Sequence, residues 1–240
     1  MSKNAEKKKI ALPGIVNFAI GLVMLSFGMA IMLAVKLGMS PTASLPVTIY
    51  EVAGFLTAGR WITIIQIIFI IGAIIVSRQI KVSHVLSFLT VIIIGLLIDL
   101  FEFLLVPIVP GGLIMRLIII LASCLFMATG VSFLLLSRYP PIPDLFFMNE
   151  LYIRHKISVG KTKMIVDIAF VIIAAILSYF VLHEFIHVGV GTVISALSLG
   201  FLIHNIRPVI FGRFSNSESK SDNKLMAVLD YNLVGGFRKS

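Results

Sequence analysis

Cysteine is nearly absent from this chain. The one residue, Cys124, excludes an internal disulfide and a four-thiolate metal site. It lies inside a long apolar run and reads as a small buried apolar side chain. Charge is scarce as well, at 13% of residues. A phosphate-cradling G-x-x-x-x-G-K-[ST] loop does not occur, so energy coupling is expected to come from an ion gradient or a partner. The formal net charge of +9 could suggest nucleic acid. The basic residues, however, sit at the ends of apolar runs, which is the pattern of a membrane protein with its cations on one side.

What fills the chain instead is apolar sequence, 59% of residues, in long unbroken runs. About 20 apolar residues at a rise of 1.5 Å cross a hydrocarbon core of about 30 Å. A soluble chain would show amphipathic stripes instead. Six spans are predicted, at about Pro13–Val35, Trp61–Ser77, Ser83–Val106, Leu113–Ser137, Met164–Leu182 and Thr192–Ile210. The Lys-rich start before the first run resembles a signal peptide. The run is too long for a signal core and lacks a small-x-small cleavage site, so it reads as a retained span. The turn at Pro107–Gly112 separates the two halves. The charged, Ser-rich tail from Gly212 reads as a mostly disordered appendage, with LMAVLDYNLVGGF able to form a short surface helix.

The two halves repeat each other. At a spacing of 102 residues, Gly28 falls on Gly130, Leu33 on Leu135, Lys36 on Arg138, Pro41 on Pro143 and Tyr50 on Tyr152. At 101, Gly59 falls on Gly160, Arg60 on Lys161, Gln66 on Asp167 and Ala73 on Ala174. At 105, Ser87 falls on Thr192, Gly95 on Gly200 and Asp99 on His204. Matches of Leu and Ile mean little in so apolar a chain; the Gly, Pro and polar matches carry the repeat.

Of the 20 Lys and Arg residues, all but Lys36, Arg60 and Arg116 fall on one side if the N-terminus is cytoplasmic. The positive-inside rule then places both termini in the cytoplasm. Three spans per copy is an odd number, so the copies must be inverted relative to each other, a recurring plan of secondary transporters. The expected fold class is therefore all-α: six transmembrane helices as two inverted three-helix repeats, with Pro-broken segments after the first and fourth spans. The expected divisions are a basic N-terminus (1–12), repeat one (13–106), repeat two (113–211) and a cytoplasmic tail (212–240). The broken segments are expected either as interfacial helices or as segments re-entering the membrane.

LGMSP at Leu37–Pro41, TAGR at Thr57–Arg60, SVGK at Ser158–Lys161 and GVGTVISALSLGFLIH at Gly189–His204 together resemble the YczE/YyaS/YitT group of bacterial membrane proteins. YczE-like members are the nearest. The resemblance covers most of residues 14 to 210. It implies a multi-span architecture in the bacterial inner membrane and carries no settled biochemical activity. Members of the group often have a G-x-G-P-R-[DE]-G-like run in the second repeat. Here YPPIPDLFF keeps Pro143 and Asp144 without the Arg-Asp-Gly. Many members have Asp where this chain has His204.

Gln66 and Asp167 are the first candidate pair, because an ionisable residue in a span usually faces the bundle interior and has a partner. Asp99 and His204, with Asn205 beside it, are the second; a carboxylate and an imidazole near a pore axis could bind substrate or relay protons. The bland alternatives are wet interfacial positions for both pairs. Ser40, Pro41 and Thr42 in one broken segment, and Pro143, Asp144 and Asn149 in the other, could coordinate a solute through hydroxyls and freed backbone. Against that stands a solvated interfacial helix with Pro at its start. Gly189, Gly191, Gly95 and Gly200 read as close-packing positions and Thr192 as an N-cap. His183-Glu184-Phe185-Ile186-His187 spells H-E-x-x-H. A zinc protease needs that motif on one continuous helix, plus a third ligand such as Asp99 or Asp167.

The sequence thus points to a non-enzymatic, cofactor-free small-solute transporter of the bacterial cytoplasmic membrane, working by alternating access. Its partners would be the bilayer and an unidentified solute, with a homodimer compatible and nucleic acid excluded. A membrane scaffold or accessory subunit, and the zinc protease, are the alternatives.

Overall fold

The computed structural model describes residues 10–80, 82–108, 112–137, 139, 142–184 and 187–217. A short strand, β1 (Ile10–Pro13), leads into α1 (Gly14–Val35), α2 (Pro41–Ala53), α3 (Ala58–Ser77) and α4 (Val82–Leu105). A tight turn at Val106–Ile108 follows, then α5 (Leu113–Ser137), α6 (Pro143–His155), α7 (Val159–Leu177, continued as one wide turn to Leu182), α8 (Val190–Arg213) and β2 (Phe214–Ser217). Six of these helices, all but α2 and α6, are long and apolar enough to cross a membrane.

The Pro-broken segments are both helices of 13 residues. Each starts with proline in its first turn, where the missing N–H costs nothing. α2 ends at Gly54 in the left-handed region, whose N–H bonds back to the Tyr50 carbonyl. α6 ends the same way at Lys156, bonded to Tyr152. α6 also matches its own dipole, with Asp144 in the first turn and Arg154 and His155 in the last. Both helices are buried along one side, so they are packed elements of the bundle and not solvated surface helices.

α1 and α5 cross at the centre, and half of the most apolar window of each is buried. Their crossing uses small residues. A Cβ on Gly130 would stand 2.5 Å from the Leu25 backbone nitrogen, and one on Gly28 2.8 Å from the Ser123 carbonyl oxygen. Backbones this close gain dispersion contact that lipid cannot replace. α4 packs on α1, and α8 packs on α5. α3 packs on α6, and α7 packs on α2. α3 and α4 also form a tight hairpin, whereas α7 and α8 do not pack along their lengths.

The outer surface carries large apolar side chains, among them Phe103 (79% exposed), Ile114 (77%) and Leu197 (75%). Exposed apolar area on this scale is unstable in water and at ease in hydrocarbon.

Three boundaries differ from the sequence reading. α3 starts at Ala58, three residues early, because the Thr57 hydroxyl caps it by accepting from the Arg60 N–H. α7 starts at Val159 and runs through Lys161 and Lys163; Lys163 faces a cavity, so its charge does not stop the helix. The tail expected to be disordered from Gly212 instead continues α8 to Arg213 and then forms β2. That strand pairs in parallel with β1, Ile10 opposite Phe214. The pair satisfies one backbone edge of each segment and ties the start of α1 to the end of α8. The proposed surface helix near the C-terminus lies outside the described residues.

Candidate functional site

A cavity of about 980 Å³ lies within the bundle, lined by residues of all eight helices. Its walls are mostly apolar, from Leu25 and Met29 on α1, Ile94 on α4, Met127 and Val131 on α5, Val171 on α7 and Leu199 on α8. One region is polar: Ser40, Thr42, Gln66, Asp144, Lys163 and Asp167 all line it. An apolar cavity with a few convergent polar groups is the general form of a small-molecule site.

The polar groups are tied across the molecule. The Thr42 hydroxyl, in the first turn of α2, donates to Asp167 Oδ1 at 2.6 Å. Lys163 Nζ donates to Thr42 Oγ1 at 2.6 Å and to Asp167 Oδ1 at 3.0 Å. Lys163 and Asp167 are one helical turn apart and partly open to the cavity, so water screens their attraction and the bare pair is worth under about 1 kcal/mol. On the other side, Gln66 Oε1 accepts from the Asp144 backbone N–H at 3.1 Å. Asp144 is buried, and Oδ1 has no hydrogen-bond partner among the described residues. Burial pushes its carboxyl above the usual carboxylate range, and Lys163 pulls it part of the way back.

The structure therefore gathers Gln66, Asp167, Ser40, Pro41, Thr42 and Asp144 around one cavity. Pro143 is buried beside them as the first residue of α6. Asn149 is buried on α6 with both amide atoms unpartnered among the described residues, but it does not line the cavity. Asp99 and His204 are not brought together. Asp99 accepts from the Thr57 hydroxyl at 2.5 Å and from the Gly59 N–H at 2.8 Å, so it caps α3 from the side of α4. His204 is exposed on α8. Asn205 spends its amide on its own helix, donating to the Phe201 carbonyl at 2.8 Å.

The H-E-x-x-H spacing is not carried on a helix. His183 takes a left-handed conformation that ends α7, so His183 and His187 do not share a helical face. Phe185 and Ile186 lie outside the described residues. His187 is fully buried and holds the loop to α2: its Nε2 lies 3.1 Å from Glu51 Oε1, which also lies 3.6 Å from Lys36 Nζ. Its carbonyl accepts from the Met39 N–H and the Thr192 hydroxyl. Burial pushes the imidazole below its usual value, against the pull of Glu51. Among the described residues no group of three or more His, Cys, Asp or Glu could hold a metal ion.

Thr192, expected as the cap of α8, sits in its first turn. Gly189 is the cap, and Thr192 Oγ1 accepts from its N–H at 3.3 Å. Gly189 and Gly191 pack against Leu37 and Gly38, and Gly95 against Gly59, as expected of small residues. Gly200 does not; nothing lies within 4 Å of the place its Cβ would take. Sequence reasoning passed over Lys163 as one more cytoplasmic cation. Its place four residues before Asp167 was the available signal. Thr57 was likewise visible only as part of the TAGR element.

Six spanning helices around a cavity with a polar region define a multi-pass helical membrane protein. The chain belongs to a family of unknown function (DUF6198), which it matches over residues 12–208. No curated protein and no solved structure matches it.

Proposed function

We propose that the protein is a small-solute transporter of the bacterial cytoplasmic membrane, built from two inverted repeats (α1–α4 and α5–α8) and working by alternating access. The observation that carries this reading is a pair of crossed contacts. In the sequence, Thr42 corresponds to Asp144 and Gln66 to Asp167. In the structure, Thr42 meets Asp167 and Asp144 meets Gln66. Each broken helix thus offers its first turn to the second spanning helix of the other repeat. A two-fold axis in the membrane plane would produce this exchange of partners, and a site on such an axis is the usual place for a transported solute.

The distribution of Lys and Arg supports cytoplasmic termini. The LGMSP, TAGR and SVGK elements support YczE-like relatives within the wider family. The solute would lie with its apolar part against Met29, Ile94 and Met127, and its polar part against Thr42, Lys163, Asp167 and Asp144. Motion of a gradient ion or of a partner would supply the energy, since the chain has no nucleotide loop.

The test is a thermal-shift screen of detergent-purified protein against metabolites, sulfur compounds, amino acids and ions. A ligand of the folded state alone stabilises it by about 2.7 kcal/mol at a hundred times its dissociation constant. One solute class should raise the transition in the parent protein and not in Asp167→Asn. A solute that stabilises both equally would remove the polar cluster from the site. A flat panel together with a stable copurifying protein would favour a scaffold or accessory subunit.

A further inference from the structure

The two hairpins that match in sequence differ in packing. Between α3 and α4 the backbones are in contact. A Cβ on Gly59 would overlap the Gly95 carbonyl oxygen, and one on Gly95 would overlap Thr63 Oγ1. Thr63 Oγ1 also reaches across to the Val91 carbonyl at 3.4 Å. Asp99 fastens this seam by accepting from Thr57 and Gly59.

Between α7 and α8 the corresponding residues stand apart. Gly200 has nothing within 4 Å of a would-be Cβ, and Gly160 meets only Ser158, at 4.0 Å. The space that this seam would fill belongs to the cavity, whose walls include Ser158, Gly160, Gly200 and Ile203. A glycine inside a helix costs roughly 0.5–1 kcal/mol relative to alanine. Gly200 lies in mid-α8 and in this state returns nothing for that cost. It is accounted for if it packs in another state.

We propose that α7 and α8 close on each other in a second state, with Gly160 against Gly200 and the His204 imidazole accepting from the Ser158 hydroxyl or the Gly160 N–H. This latch is the counterpart of Asp99 on Thr57 and Gly59. The inference rests on the alternating-access reading and adds the residues that form the inner gate. In the present state the outer seam, α3–α4, is shut and the inner seam, α7–α8, is open. The substitution of a histidine for a carboxylate gives the bias a cause. A carboxylate has two acceptor oxygens and takes both donors at once, whereas a neutral imidazole has one acceptor nitrogen. The inner latch is therefore the weaker of the two. His204 acts as a positioning residue, touching the opposite helix and not the solute.

Cysteine cross-linking in membranes tests this. The outer seam brings Thr63 Oγ1 within 3.4 Å of the Val91 carbonyl, and the counterparts of Thr63 and Val91 are Met164 and Ala196, both on the cavity wall. In a Cys124→Ala background that keeps Gly200, Met164→Cys with Ala196→Cys should form a disulfide on mild oxidation, because closure brings the two positions toward the Cβ separation of about 3.5–4.5 Å that a disulfide needs. Adding His204→Ala should lower the cross-linked fraction at a fixed short time about tenfold, the effect of one lost hydrogen bond. His204→Asp should restore it, which a change in helix packing alone would not do. Thiols that react with maleimide but never cross-link would overturn the proposal. Cross-linking indifferent to His204→Ala would overturn the latch.

If the double variant does not reach the membrane, Gly200→Leu gives a second reading. It should prevent inner closure and so hold the outer seam shut. An Ile98→Cys reporter should then be labelled from outside at least tenfold more slowly than with Gly200 present; equal labelling counts against the proposal. Failure to cross-link in protein that still binds a solute would sink the seam alone. A cross-link that forms while the cavity is reachable from one side only would leave the seam and remove alternating access.

Discussion

Removing the Asp99 carboxylate should open the α3–α4 seam. Asp99 accepts two hydrogen bonds across it, from the Thr57 hydroxyl at 2.5 Å and the Gly59 N–H at 2.8 Å. Hydrogen bonds to a charged group are each worth roughly 1.5–3 kcal/mol when buried. Both are only partly buried, and screening brings the pair to about 2 kcal/mol. That is a factor of about 30 in the balance between closed and open seams. Ile98, next to Asp99 and fully buried, is the reporter. In a Cys124→Ala, Ile98→Cys protein, Asp99→Ala should raise labelling by an impermeant thiol reagent from the outer face about 30-fold. Asp99→Asn keeps one acceptor oxygen, so it should raise labelling by only a few-fold. The reasoning is refuted if Asp99→Ala protein, still folded and inserted, labels within twofold of its parent.

Other perturbations follow from the same contacts. Asp167→Asn leaves Lys163 without its carboxylate and should weaken solute binding at least tenfold, with insertion unchanged; calorimetry on the identified ligand checks it. Gly130→Leu puts a side chain where Leu25 backbone already stands, and should abolish the monodisperse peak in detergent chromatography. His187 is held below its ordinary value of 6.5, chiefly by burial. Its contribution to stability is then fully present above pH 6.5 and declines as the pH falls below that toward the folded-state value. The apparent Tm should drop between pH 7 and 5 in the parent and lose that slope in His187→Gln. Epitope tags inserted next to Gly112 should be reached from outside, and tags near Arg154 only from inside; both on one face would break the inverted arrangement.

The six spanning helices could be read directly, because apolar runs of the length of a bilayer have one physical use. Gly95 of the α3–α4 seam was read as a close-packing position, whereas Gly28 and Gly130 of the α1–α5 crossing, and Gly59, entered as matches between the repeats. α2 and α6 were not settled by sequence. Pro41, Pro46 and Pro143 are compatible with either a surface helix or a packed one, and the choice falls to burial against α7 and α3. The β1–β2 pair could not be seen, since two four-residue segments about 200 residues apart, IALP and FSNS, carry no pairing signal. H-E-x-x-H drew attention to His187 for its spacing, but what fixes its role is Glu51, a partner 136 residues away. Gly200 misled in another way. A glycine marks a place where something comes close, and sequence does not say in which conformation.

The claim that most needs testing is that one cavity serves both sides of the membrane. Met29 lines it from α1. A single Met29→Cys in the Cys124→Ala background can be challenged with an impermeant thiol reagent in right-side-out and in inside-out vesicles. An alternating-access transporter predicts labelling from both faces, with prior reaction from one face blocking the other. Labelling from one face only, in protein shown to be folded, contradicts the account.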